Sequence, residues 1–162
     1  MKTTSALVSG LAGATVVTAT HEIVRRINPK APRMDLLGMQ ALNKALHSLD
    51  WKTPKHLFYW TMAGDILANS LYYSLAGAGK QKSVWLRGSA LGLAAGIGAI
   101  LLPKPMGLNE RYSNRTWETK AMTLGLYVTG ALVTTALLVL WNRKKKTTEQ
   151  EWERKLLTSA MG

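Results

Sequence analysis

The sequence predicts an all-α integral membrane protein, with four transmembrane helices running up and down, one amphipathic interfacial helix and a short C-terminal helix. Three observations predict it. Charged residues are 19% of the 162 positions against 47% apolar ones, and they gather in clusters between long apolar stretches. Those stretches approach the roughly 20 residues that carry a helix across a hydrocarbon core of about 30 Å. Tryptophans and basic residues stand at the ends of the stretches, where head groups lie. A single transmembrane domain over residues 1–162 follows, with spans near 5–27, 56–79, 83–102 and 117–141. An amphipathic segment is expected at 34–50 and a polar tail at 142–162.

The first span runs from Ser5 to Ile27. Ala6, Gly10, Ala14 and Thr18 recur every fourth position, a stripe of small residues that lets another helix approach closely. Lys2, a short apolar core and Val17-Thr18-Ala19 also resemble a secretory signal with a cleavage site after Ala19. We read the segment as a spanning helix that stays on the chain, closed at one membrane surface by His21, Glu22, Arg25 and Arg26.

Pro29 and Pro32 stop that helix. Beyond them Met39, Leu42, Leu46 and Leu49 fall at helical spacing, with Asp35, Gln40, Asn43, Lys44, His47 and Asp50 mostly on other faces. The segment is too short and too polar to span, so it is expected to lie in the interface or to lid the bundle. Trp51 would anchor it at the head groups, and Pro54 would open the second span as a first-turn proline.

The stretch from His56 to Gly79 organises the chain. It is almost wholly apolar, bracketed by Lys55 and Lys80, and carries Asp65 near its middle. An acid at that depth is costly, so it must face protein or water. Thr61 and Asn69, one turn to either side, extend a polar stripe towards Tyr72. The third span, Ser83 to Leu102, carries Gly88, Gly92 and Gly96 as two overlapping GxxxG units, a helix-packing face. Trp117 and Trp141 bound the fourth span, and Arg143 to Lys146 end it at the head groups. In the tail, Thr148 and Glu151 have the spacing of a capping box for a separate short helix.

These patterns bear on function chiefly by exclusion. The net charge of +12 sits at the ends of apolar stretches, which points to anionic lipids of the bilayer and not to nucleic acid. With no cysteine, disulfides, thiolate metal sites and a cysteine nucleophile are excluded. His21-Glu22 lacks the second histidine of HExxH, no nucleophile elbow is present, and no cofactor fingerprint stands out. No metal, cofactor or catalytic residue is therefore assigned. The basic run after Trp141 favours a cytoplasmic C-terminus, whereas Arg25, Arg26, Lys30 and Arg33 pull the opposite way, so the orientation stays open.

Depth along the helices brings His21, Glu22 and Arg25 to the same membrane side as Asp65 and Asn69. These five form the candidate polar pocket, with Arg25 or His21 the expected partner of Asp65. The sequence favours a non-enzymatic accessory or scaffold subunit that packs through its glycine faces, as a homo-oligomer or within a larger membrane complex. A small transporter or channel component, or a lipid-acting membrane enzyme, built around Asp65, His21 and Glu22, is the alternative. The expected location is a bacterial inner (plasma) membrane.

Overall fold

The computed structural model describes residues 3–160, with side chains at all of these except 145, 146, 149, 153, 155 and 158–160. Lys2, placed by the sequence in a signal-like leader, and the last two residues of the tail lie outside the described residues, as do the side chains of Lys145 and Lys146. The chain is 81% helical and the described residues contain no strand. Helix α1 is Thr3–Ile27, α2 Met34–Ser48, α3 Leu57–Ser74, α4 Val84–Leu101, α5 Arg111–Asn114 and α6 Trp117–Ala160. Short 3-10 turns at Leu75–Gly77 and Gln81–Ser83 join α3 to α4.

Three helical stretches are long and apolar enough to cross a membrane: Thr3–Ile27, Gln81–Leu101 and Trp117–Lys144. The expected span at 56–79 is not among them. Its α-helix closes at Ser74 after 18 residues, and Asp65, Asn69 and the Tyr72-Tyr73 pair dilute its apolar character. That helix also starts at Leu57, after an N-cap at His56, so Pro54 precedes it and does not occupy its first turn.

The surface is the inverse of a water-soluble bundle. Leu67, Leu71, Leu86, Leu93, Ile97 and Leu140 are exposed, while Ser9, Thr123, Thr134 and Thr135 are fully buried. In lipid the outward leucines cost nothing, and small or hydroxylated side chains at the interfaces let backbones approach. Tyr59, Trp60 and Trp117 ring one end and Trp85 and Trp141 the other, all exposed.

Helix α1 packs between α3 and α6, and α6 packs between α1 and α4. Gly10 lies against the backbone of Ser70 and Ser74, and Gly13 against Gly130 and Thr134. Gly88, Gly92 and Gly96 are buried against α6, where they face Thr135, Ala131 with Val128, and Leu124 in turn. Tyr73 is fully buried and its hydroxyl donates to the Tyr127 carbonyl at 3.0 Å, tying α3 to α6. By contrast α3 and α4 touch little along their length; one link is the Tyr72 hydroxyl, which donates to the Leu91 carbonyl at 3.0 Å.

Helix α2 closes the end of the bundle where α1 and α4 finish and α3 and α6 begin. The Lys44 ammonium donates to the Met106 carbonyl at 2.6 Å, Asn109 N–H to Gln40 at 2.9 Å, and Arg33 N–H to the Tyr112 carbonyl at 2.7 Å. It is therefore a lid, whose most buried side chains are Asp35 and Leu37, while Met39, Leu42 and Leu46 of the expected leucine face are half-buried and Leu49, just past the helix, is exposed. The inward turn follows from Arg33, whose guanidinium holds both oxygens of Asp35 at 2.9 Å and lets the carboxylate be buried. The expected separate C-terminal helix is absent, because α6 continues unbroken to Ala160. No glycine or proline interrupts residues 131–160, and the Thr148 hydroxyl donates to the Lys144 carbonyl at 3.1 Å instead of capping a new helix.

Candidate functional site

Asp65 accepts one hydrogen bond on each oxygen: from the Thr18 hydroxyl of α1 at 2.8 Å and from the Asn69 amide one turn along α3 at 2.9 Å. Both donors are neutral. Among the described residues no cationic side chain pairs with it. The expected partner Arg25 is instead bound to Glu22, at 2.7 Å through Nε and 2.6 Å through Nη2. Spacing decides this: Glu22 lies one turn before Arg25 on the same helix, and charge is satisfied locally at lower entropic cost. His21 does not pair with Asp65 either; its ring lies edge-on to Tyr127, with centroids 5.6 Å apart.

Above this level the charged groups form a chain. Arg26 approaches Glu22 at 3.8 Å, Glu22 holds Arg25, Arg25 reaches Asp35 at 3.9 Å, and Asp35 holds Arg33. Burial pushes the Asp35 carboxyl up, but the Arg33 hydrogen bonds and the Arg33 and Arg25 charges outweigh it and hold Asp35 below the usual carboxylate range. This chain seals the pocket from the side of α2. Asp35 was not singled out by the sequence, since a lone acid in an amphipathic segment reads as solvated; the adjacent Arg33 was its only signal.

Beneath the chain lies a small cavity of about 30 Å³, lined by His21, Glu22, Asp35, Asp65, Asn69 and Tyr127 among others. That volume holds a molecule the size of water. Four of the five expected pocket residues thus share one cavity, and Arg25 stands outside it as the counter-charge of Glu22. Both ring nitrogens of His21 are buried without a hydrogen-bond partner, in a residue only 8% exposed. His47 and His56 do not line this cavity, and no cluster of three or more His, Asp or Glu side chains suited to a metal ion occurs among the described residues.

A second, larger space opens where α3 and α4 part. It is a groove of about 520 Å³ running from Leu102, Pro103 and Met106 down to Tyr72 and Ala94. Small side chains make the room: Ala68 on α3, and Ala95, Gly98 and Ala99 on α4. Met34, Gly38, Asp65, Asn69 and Tyr127 line both the groove and the small cavity, so the two are joined at Asp65. In the sequence the small residues of α4 signal only helix packing, so the groove carried no separate signal.

No protein-family model matches the chain, and no curated protein or solved structure is significantly similar to it.

Proposed function

We propose that this chain is a four-span plasma-membrane protein that binds a hydrophobic small molecule in the groove between α3 and α4, as a carrier or binding component. The polar pocket of Asp65, His21, Asn69 and Glu22 lies at the groove's inner end. The observation that carries the reading is the shared wall: a mostly apolar groove meets a polar cavity at Asp65. Binding sites for small molecules combine apolar walls with a few convergent polar groups, in volumes of roughly 300–1,000 Å³. An ionisable group within a membrane marks a site by default.

Two further observations support it. The close register of α3 on α1, from Thr18–Asp65 to Gly10–Ser74, supports a depth for α3 like that of α1, a helix itself long enough to span. This favours four spans despite the modest hydropathy of α3. Second, the glycine faces expected to recruit a scaffold partner are filled within the chain, Gly88, Gly92 and Gly96 by α6 and Gly10 by α3. A partner seated on those faces would have to displace them, which favours the binding reading over a scaffold that packs through its glycines.

The test uses the full chain in phosphatidylcholine nanodiscs and a photoreactive long-chain alkyl diazirine, with adducts mapped by mass spectrometry. Labelling concentrated on Ala68, Ala95 and Gly98 is expected. Adducts spread only over outward leucines such as Leu67, Leu86 and Leu93 would contradict the reading. Gly98→Phe supplies the control: a Cβ at Gly98 meets only Leu102, at 3.4 Å, so the variant should fold and yet fill the groove.

A further inference from the structure

Resting on that reading, we infer that the groove is built for a lipophilic organic cation, an ammonium on a long apolar body, with Asp65 as its counter-ion.

Charge complementarity carries the argument. Three other acids at this end of the bundle each hold a cation: Glu22 has Arg25, Asp35 has Arg33, and Glu118 has Lys30 at 2.6 Å. Asp65 alone among these is held by a hydroxyl and an amide. A carboxylate accepts about four hydrogen bonds, and Asp65 uses one site on each oxygen, so acceptor capacity remains. In a medium of low dielectric an uncompensated carboxylate draws a positive charge far more strongly than it would in water. The groove selects the rest of the ligand, since its walls at Leu37, Ala95, Gly98 and Leu102 offer an apolar body no polar partner.

His21 supplies an independent observation. It is more than nine-tenths buried, lines the same small cavity as Asp65, and leaves both ring nitrogens unpartnered. In either tautomer a neutral imidazole offers one acceptor and one donor. A primary ammonium carries three N–H donors, enough to bond Asp65 and to reach the His21 acceptor, directly or through one water. A neutral lipid tail ending at the same place would leave these groups unanswered, at the cost of buried polar groups without partners.

Two alkyl diazirines of equal chain length decide the point, one ending in a primary ammonium and the other in a hydroxyl, each added to the full chain in phosphatidylcholine nanodiscs. The ammonium probe should label the groove at least about tenfold more than the alcohol, the factor carried by roughly 1.4 kcal/mol of charge attraction. Asp65→Asn should bring its labelling down to the alcohol's level while the melting temperature stays near that of the parent. Equal labelling of the groove by both probes in the parent protein would overturn the cation and leave the groove standing, a comparison that needs no variant. Labelling of the groove by neither probe would remove the binding reading as well. Preferential ammonium labelling that persists in Asp65→Asn would assign the charge to another group and so would also overturn the inference.

Discussion

The Thr18 hydroxyl donates to Asp65 across the α1–α3 interface at 2.8 Å, and this bond ties the only acid of α3 to a residue of the small stripe on α1. With Asn69 on the other oxygen, it turns the carboxylate inward, towards the cavity that His21 also lines.

Thr18→Val keeps the shape of the side chain and removes the donor. Hydrogen bonds between helices in a membrane are worth about 0.6 kcal/mol on average and up to roughly 1.7. A loss of about 1–2 kcal/mol is expected here, because Asp65 is half-buried between the helices and would retain only Asn69. Thermal unfolding in detergent measures it. An unchanged midpoint would mean that α3 is positioned by packing alone.

Gly92 and Gly125 make a paired test of the glycine faces. A Cβ at Gly92 would stand 2.8 Å from the Ala131 Cβ and 2.9 Å from the Val128 Cα, so backbone must move. Gly92→Leu should cost about 1–3 kcal/mol or more, as overpacking does. At Gly125 nothing lies within 4 Å of the added atom, and Gly125→Ala should gain about 0.5–1 kcal/mol from reduced backbone freedom in a helix. Similar melting of the two variants would show that α4 and α6 do not pack as described.

The lid carries a pH dependence through Asp35. Its folded-state pKa is depressed, Arg33 and Arg25 outweighing the opposing effect of burial. It therefore contributes stability above the ordinary carboxylate value of about 3.9, and that contribution is lost as the pH falls through the lower folded value. Protease sensitivity of 34–48 should rise in acid below about pH 4. Asp35→Asn should show raised sensitivity already at neutral pH and a flatter acid response. An acid response as steep in Asp35→Asn as in the parent would assign it to another group.

The helical segments were legible because apolar runs, prolines and interfacial tryptophans are local signals. Ala6, Gly10, Ala14 and Thr18 are all buried for the reason their spacing suggested. What escaped the sequence depended on which residue reaches which. Arg25 was expected to reach Asp65, but Glu22, one turn away on the same helix, offers it the shorter path. Asp35 faces inward because Arg33 accompanies it, and the leucine spacing of α2 carries no sign of that pairing. The groove arises where two helices fail to meet, and no single segment encodes such a gap. At the end of α6 a capping-box pattern lost to an uninterrupted run of helix formers, since a cap acts only where a helix already stops.

The most direct measurement of the central claim, that α3 crosses the membrane with Asp65 inside it, uses the absence of native cysteine. Single cysteines at Trp51, Leu67 and Lys82 are exposed to an impermeant maleimide from either face of oriented vesicles. Labelling of Trp51→Cys and Lys82→Cys from opposite faces, with Leu67→Cys protected from both, is the predicted result. Labelling of Trp51→Cys and Lys82→Cys from the same face, with Leu67→Cys reactive from water, would mean that α3 does not span and that Asp65 has no place in the membrane.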